Sequence, residues 1–126
     1  DISHLQVEVG ENAKEHGWWD EERSFGELIA LCHSELSEAL EEYRKGKQPT
    51  ETYYTCKLSE RTHDDCDPGC EKCNYRKPEG IPSELADVVI RILDICHHYE
   101  INLWKAILEK HEFNKSRPYK HGGKVI

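Results

Sequence analysis

Two long segments of this chain carry apolar residues at the spacing of an α-helix. The first follows the helix-capping residue Ser24 and runs to about Lys45, where Gly46 ends it. The second begins near Pro82, which suits a first helical turn, and runs to about Tyr99. Apolar residues at intervals of three and four bury one face of a helix. These segments therefore predict the core of an all-α fold.

Each of the two predicted helices also presents a pair of carboxylates on one edge. The pairs are Glu35-x-x-Glu38 and Glu84-x-x-Asp87. Residues three apart lie about one turn from each other on the same face. Four carboxylates brought to one point would repel one another strongly, and Mg²⁺, Mn²⁺ and Ca²⁺ prefer such oxygen ligands. The motifs thus predict a divalent-metal site, although acidic helix edges are also common on solvated surfaces.

Shorter helical patterns flank the two long predicted helices. One runs from Ile2 to about His16 and the other from Asn102 to about Phe113. With 126 residues, the chain fits a single domain spanning 1–126. We find no apolar run of transmembrane length and no signal-peptide pattern, so we expect a soluble cytoplasmic protein. Because the sequence opens without Met in what is already a helical pattern, we expect that a few residues precede it.

The net charge of −8 argues against a nucleic-acid backbone as the main partner. The tail 114–126 is an exception, since it is rich in Lys, Arg and Gly. That composition suits phosphate binding. A disordered basic terminus, or a tail that docks on an acidic surface, would have the same composition.

The segment 46–80 has no helix or strand period, so we predict an irregular insertion between two core helices. It contains four of the six cysteines, and His63 lies among them. Four thiolates could hold a structural Zn²⁺, with free thiols or a disulfide as the alternatives. The candidate zinc ligands are Cys56, Cys66, Cys70 and Cys73.

Two adjacent indoles, Trp18 and Trp19, precede the first long helix. They could form an edge of the core, or they could stack on a nucleobase. Together with metal-binding carboxylates and a basic tail, stacking aromatics would make a site for a nucleoside triphosphate. We find no Walker loop, Ser-His-Asp set or Rossmann fingerprint, which favours metal-assisted hydrolysis over covalent catalysis.

Three stretches of the sequence resemble the MazG-like branch of the all-α nucleoside triphosphate pyrophosphohydrolases. They are SELSEALEEYR, KPEGIPSELADVVIRILD and HEFNKSRPYKHGGK. The resemblance implies a bundle of four to five helices in which Mg²⁺ or Mn²⁺ is bound by Glu35, Glu38, Glu84 and Asp87. It also implies cleavage of a nucleotide between the α and β phosphates, which gives a monophosphate and pyrophosphate.

The same resemblance implies a homodimer or homotetramer whose base pocket is built partly from the neighbouring subunit. It assigns phosphate and sugar contacts to Lys110, Asn114 and Arg117. Many family members carry E-E-x-x-E, whereas Leu31 and Cys32 stand where the first two acids would fall. The number of bound ions is therefore left open, and the cysteine insertion is not part of the family pattern.

Two other functions are consistent with parts of the sequence. A di-metal redox bundle would need E-x-x-H on two helices, and only Asp94-x-x-His97 comes close. A zinc-stapled helical interaction module without catalysis would leave the acidic helices facing solvent or another protein. Mg²⁺ with nucleotide should stabilise a hydrolase against heat, and it should not stabilise such a module.

Overall fold

A computed structural model of the chain describes residues 1–56, 61–62 and 76–119, with the backbone alone at 61–62. The described residues form four α-helices, one short 3-10 helix and a three-stranded sheet. An all-α fold was predicted, and the described residues confirm that the fold is mainly helical, but the sheet was not predicted. Within the described ranges, no helix combines the length and the apolar character needed to cross a membrane.

The helices lie close to their predicted bounds. They are α1 (Ser3–Glu15), α2 (Phe25–Arg44), α3 (Ile81–His98) and α4 (Leu103–Lys115), with the 3-10 helix at Trp18–Asp20. The Oγ of Ser24 accepts a hydrogen bond from the Glu27 N–H at 3.1 Å and so caps α2. Asn102 caps α4 in the same way, through the N–H of Lys105.

Three short strands lie between α2 and α3. They are β1 (Tyr53–Cys56), β2 (Arg61–Thr62) and β3 (Arg76–Glu79), and both neighbours of β1 run antiparallel to it. The prediction that all of 46–80 is irregular is therefore wrong for these residues. Strand β3 contains Lys77 and Pro78 and has no alternation of apolar and polar residues that would have marked it.

The chain divides into two compact units. The central unit is 22–92, and the terminal unit is 1–21 together with 93–126, of which 120–126 lie outside the described residues. The buried apolar side chains of the central unit are Leu28, Cys32, Ala39, Cys56 and Ile81. Those of the terminal unit are Leu93, Ile95 and Cys96. Within each unit, the buried helical residues follow the apolar periods of the sequence.

Helix α1 packs against the end of α3 within the terminal unit. Gly10 of α1 is buried against the side chain of His97, and the Nε2 of Gln6 donates to the carbonyl of Ile101 at 3.0 Å. A methyl group at position 10 would overlap the His97 ring and its Cβ. The absence of a side chain at Gly10 therefore sets how closely these two helical segments approach.

Gly10→Ala is expected to destabilise the protein by about 1–2 kcal/mol. The overlap with His97 should cost roughly 1–3 kcal/mol, and the better helix propensity of Ala recovers at most about 1 kcal/mol. Gly26→Ala in α2 is the matched control, because the nearest atom that the added Cβ would meet outside its own helix, among residues 1–56 and 76–119, is the Ser24 Oγ at 3.9 Å. Urea unfolding should show a gain of about 0.5–1 kcal/mol for the control. Equal effects of the two substitutions would contradict the packing described.

Candidate metal site

Three carboxylates meet within the central unit. Glu35 of α2 and Glu84 and Asp87 of α3 each offer an oxygen, and these oxygens all lie within 4.8 Å of one another. All three side chains are half-buried. Among residues 1–56 and 76–119, this is the one group of three or more His, Cys, Asp or Glu side chains placed to share a metal ion. We call these residues the acidic cluster.

The acidic cluster is electrostatically strained. Burial raises the pKa of Glu84, and the charges of Asp87, Glu35 and Glu38 raise it further. The pKa of Asp87 is also raised, mainly by burial and then by the charge of Glu35. A raised pKa means that the local environment destabilises the charged form of a carboxyl group. A bound cation would therefore relieve the repulsion among these carboxylates.

Two basic side chains accompany the cluster. The Nε of Arg91 donates to Oε1 of Glu35 at 2.8 Å, and the two side chains are 30% and 15% exposed. On β3, the Nζ of Lys77 lies 3.0 Å from Oε1 of Glu79. The hydrogen bond to Glu79 is the main reason why the pKa of Lys77 is raised. Both cations lower the pKa of Asp87, so both act on the cluster.

Glu38, the fourth predicted ligand, is exposed and lies outside the group of three. Its charge nevertheless contributes to the raised pKa of Glu84, which places it within electrostatic reach. The structure therefore brings three of the four predicted carboxylates together and leaves the fourth beside them.

The donor set of the cluster fits a hard divalent cation. Its ligand atoms are all carboxylate oxygens, which Mg²⁺ and Mn²⁺ prefer. Arg91 supplies one positive charge directly to Glu35, whereas the three carboxylates together supply three negative charges when ionised. A divalent cation would balance the two negative charges that remain.

A second carboxylate pairing lies between α2 and the sheet. The side chain of Glu42 is only 8% exposed, and the hydroxyl of Tyr53 lies 2.9 and 3.1 Å from its two oxygens. Burial and the hydrogen bond to Glu42 raise the pKa of Tyr53 to about 12. This contact ties β1 to α2. The 3.6-residue period of α2 places Glu42 just beyond the edge of its apolar stripe, and nothing in the sequence indicates Tyr53 as its partner.

Tyr53→Phe is expected to destabilise the protein by about 1–3 kcal/mol, because the buried Glu42 carboxylate would lose the hydroxyl that donates to it. Tyr54→Phe is the control, since its ring lies 4.9 Å from the Arg76 guanidinium and a Phe ring retains that contact. Denaturant unfolding at neutral pH measures both. A loss for Tyr54→Phe as large as that for Tyr53→Phe would contradict the role given to the Tyr53 hydroxyl.

The predicted base-contacting residues lie in the terminal unit. The indole Nε1 of Trp19 donates to Oδ1 of Asp94 at 2.9 Å, and its ring stacks on His98 with the centroids 3.6 Å apart. Asp94 is buried, and both Trp18 and Trp19 are half-buried. Trp19 thus packs against other side chains, as expected if the two indoles form an edge of the core. A contact of either indole with a nucleobase stays a prediction.

The predicted phosphate and sugar contacts also lie in the terminal unit. Lys110, Asn114 and Arg117 are exposed residues on α4 or just beyond it. The charged groups of Lys110 and Arg117 lie 5.6 and 5.9 Å from the centre of the Phe113 ring. Their contacts with a nucleotide stay predictions. The last part of the basic tail, 120–126, lies outside the described residues.

Of the candidate zinc ligands, only Cys56 lies among the described residues, where it is fully buried at the end of β1. Cys66, Cys70 and Cys73 lie outside the described residues, as does His63. The zinc site therefore stays a prediction.

Comparison of the chain with protein-family models, curated proteins and solved structures gives no match. The acidic cluster and the sequence motifs that supply it are therefore the basis for assigning a function.

Proposed function

We propose that this chain is a Mg²⁺-dependent nucleoside triphosphate pyrophosphohydrolase of the MazG-like kind. The observation that carries the proposal is the acidic cluster, in which carboxylates from both acidic motifs lie within 4.8 Å of one another. The raised pKa values of Glu84 and Asp87 support it, because they indicate charges that need a counter-ion. The sequence resemblance supplies the type of reaction, which is cleavage between the α and β phosphates.

In this proposal the ligands of Mg²⁺ are Glu35, Glu84 and Asp87, with Glu38 as a fourth. The ion would neutralise charge on the phosphates and activate water for attack. The helices fix the carboxylates, since Glu84 and Asp87 share one face of α3 and Glu35 approaches from α2. Arg91 has a positioning role, because its ion pair holds one oxygen of Glu35 in place.

Lys77 is the cation best placed beside the cluster to meet a phosphate group. Its side chain is 56% exposed, and its pKa is affected by the charges of Glu84 and Asp87. An ammonium on a flexible stem acts as a point charge toward phosphate. Lys77 begins the stretch KPEGIPSELADVVIRILD, but it was not predicted as a site residue, because it lies in a strand that was predicted as irregular chain.

The contacts to base, sugar and outer phosphates are proposed from the resemblance alone. They fall to Trp18, Trp19, Lys110, Asn114 and Arg117, all of which belong to the terminal unit. The family further suggests a homo-oligomer, in which a neighbouring subunit would complete the base pocket.

The test is identification of the product formed from a panel of ribo- and deoxyribonucleoside triphosphates with Mg²⁺. The wild type should release pyrophosphate and a monophosphate, and Glu84→Gln should release neither. Glu41→Gln is the matched control, because Glu41 is an exposed acid of α2 outside the cluster. Release of orthophosphate, or no turnover of any nucleotide, would exclude the proposed reaction.

A further inference from the structure

One face of the sheet carries Lys77 on the side where α2 lies. In the ladder between β1 and β3, Lys77 lies opposite Thr55 and Glu79 lies opposite Tyr53. Residues directly opposite each other share a face of a sheet, and so do residues two apart on a strand. The hydroxyl of Tyr53 donates to Glu42 of α2, so this face is turned toward α2.

Strand β3 is also fixed against the first turn of α3. A single residue, Gly80, separates the end of β3 from the start of α3. The Oγ of Ser83 donates to the carbonyl of Pro78 at 3.1 Å, which holds the strand to the helix. Glu84 follows directly in α3. Lys77 therefore lies near the end of α3 that carries Glu84, and its positive charge partly offsets the rise in the pKa of Glu84.

The Lys77 ammonium is attracted by two groups of carboxylates. Its Nζ lies 3.0 Å from Oε1 of Glu79, whose side chain is 22% exposed. The charges of Glu84 and Asp87 attract it as well. The Lys77 side chain is itself 56% exposed, and lysine carries its charge on a flexible stem. The ammonium is therefore free to exchange one anionic partner for another.

A divalent cation bound by the acidic cluster would change the effect of Lys77. The cation and the ammonium carry charges of the same sign and repel each other, so Lys77 opposes the binding of Mg²⁺ alone. A diphosphate group is attracted by both charges. The same lysine therefore favours the binding of Mg²⁺ together with a diphosphate.

We propose that Lys77 couples the binding of Mg²⁺ at the acidic cluster to the binding of a diphosphate group, and that Glu79 holds the ammonium when no diphosphate is bound. This inference rests on the proposed function, in which the diphosphate is the part of the nucleotide that leaves as pyrophosphate. It adds that the cation binds weakly by itself and tightly with the diphosphate. The coupling is reciprocal, so each ligand strengthens the binding of the other by the same factor.

The first test compares the wild type with Lys77→Gln by calorimetric titration with MgCl₂ alone and with magnesium pyrophosphate. Lys77→Gln should bind Mg²⁺ alone roughly threefold to tenfold more tightly, because a repelling charge is removed. It should bind magnesium pyrophosphate at least about 10-fold more weakly, because a charged donor to phosphate is lost. Local damage to the site would weaken both ligands, so opposite shifts are specific to the coupling.

Two further variants serve as controls for these titrations. Arg44→Gln removes one positive charge from α2, where Arg44 pairs with the exposed Glu41 at 3.7 Å on the side opposite Glu35. It should shift neither affinity. Glu84→Gln should bind neither ligand, which shows that the titrations report on the acidic cluster.

The outcomes separate this inference from the proposed function. If Lys77→Gln shifts the two affinities in the same direction, or leaves either one unchanged, the coupling role of Lys77 is overturned while the proposed reaction stands. A wild type that binds neither MgCl₂ nor magnesium pyrophosphate would overturn both.

The second test addresses the role of Glu79. Glu79→Gln removes the carboxylate that competes with phosphate for Lys77, so magnesium pyrophosphate should bind roughly threefold more tightly. The same substitution in the Lys77→Gln background should give a smaller gain, because no ammonium is left to release. Circular dichroism of each variant confirms that the chain still folds. A Glu79→Gln variant that binds magnesium pyrophosphate no more tightly than the wild type would overturn the role of Glu79.

Discussion

Replacing Asp87 with Asn is expected to stabilise the metal-free protein and to abolish its response to Mg²⁺. The Asp87 carboxylate lies within 4.8 Å of those of Glu35 and Glu84, and its pKa is raised by burial and by Glu35. Asn keeps the shape of the side chain and removes one of the repelling charges. Most substitutions destabilise a protein, so a gain in stability would indicate specifically that the carboxylates of the acidic cluster repel one another.

The direction of the pH dependence follows from the raised pKa of Asp87. A carboxyl group with a raised pKa in the folded state contributes most stability below its ordinary pKa, which is 3.8 for Asp. That contribution is lost as the pH rises through the folded-state value. As the pH rises from the ordinary pKa of Asp87 through its folded-state pKa, the metal-free wild type should therefore lose stability. The Asp87→Asn variant should lose less. Bound Mg²⁺ should reverse the loss by about 2.7 kcal/mol at a concentration 100 times its Kd.

Thermal unfolding in a chelator and in Mg²⁺, measured between about pH 4 and pH 8, tests the stability expectation without any assay of activity. Nucleotide hydrolysis by Asp87→Asn should fall at least about 100-fold, since a proposed ligand of the charge-neutralising cation is removed. Glu41→Gln should retain both activity and the Mg²⁺ response. An Mg²⁺-induced rise in Tm for Asp87→Asn equal to that of the wild type would contradict the assignment of the cluster.

Gly80→Ala is expected to cost about 3 kcal/mol of stability, more than any other glycine substitution proposed for this chain. Gly80 has a φ of 107°, a left-handed conformation that side chains rarely adopt. An added Cβ would also overlap the backbone carbonyl oxygen of Glu51, which cannot rotate away as a side chain could. The left-handed conformation should cost roughly 1–2 kcal/mol and the overlap roughly 1–3 kcal/mol more.

Gly46→Ala separates these two contributions. Gly46 also has a left-handed φ, of 93°, but apart from its chain neighbours no atom of the described residues would lie within 4 Å of its added Cβ. Its substitution should cost about 1 kcal/mol, because a stiffer unfolded chain offsets part of the strain. Denaturant unfolding of both variants measures the difference. Equal losses would show that the Glu51 carbonyl does not restrict position 80.

Gly80→Ala should also weaken the response to Mg²⁺. The carbonyl of Gly80 accepts the first helical hydrogen bond of α3, from the N–H of Glu84 at 3.0 Å. A shift of the backbone at position 80 would therefore move Glu84 and, one turn later, Asp87. Gly46 has no such connection with the acidic cluster, so Gly46→Ala should bind Mg²⁺ as the wild type does.

The helices could be predicted from the sequence because their signals are local. Ser24 and Asn102 cap helices through side-chain hydrogen bonds that span only three residues. The apolar periods likewise reflect which face of each helix is buried. The acidic pairs were found for the same reason, since residues three apart on a helix are neighbours before any tertiary structure forms.

The features that were missed depend on distant residues. Arg91 and Glu35 are 56 positions apart, and Tyr53 reaches Glu42 only once β1 lies against α2. The apolar period of α2 also could not show that five of its apolar side chains would remain exposed, namely Phe25, Ile29, Leu36, Leu40 and Tyr43. That outcome depends on how many neighbouring elements the fold provides to cover one helix.

The pairing of β1 with β3 has a consequence for how the chain tolerates changes in length. Cys56 lies opposite Arg76 in the antiparallel ladder, so the last residue of β1 and the first residue of β3 are neighbours across the sheet. The pairing therefore fixes the distance between Cys56 and Arg76 whatever the number of residues that join β2 to β3. We therefore expect changes in length between β2 and β3 to leave the acidic cluster intact, because its residues lie on α2 and α3, outside that stretch.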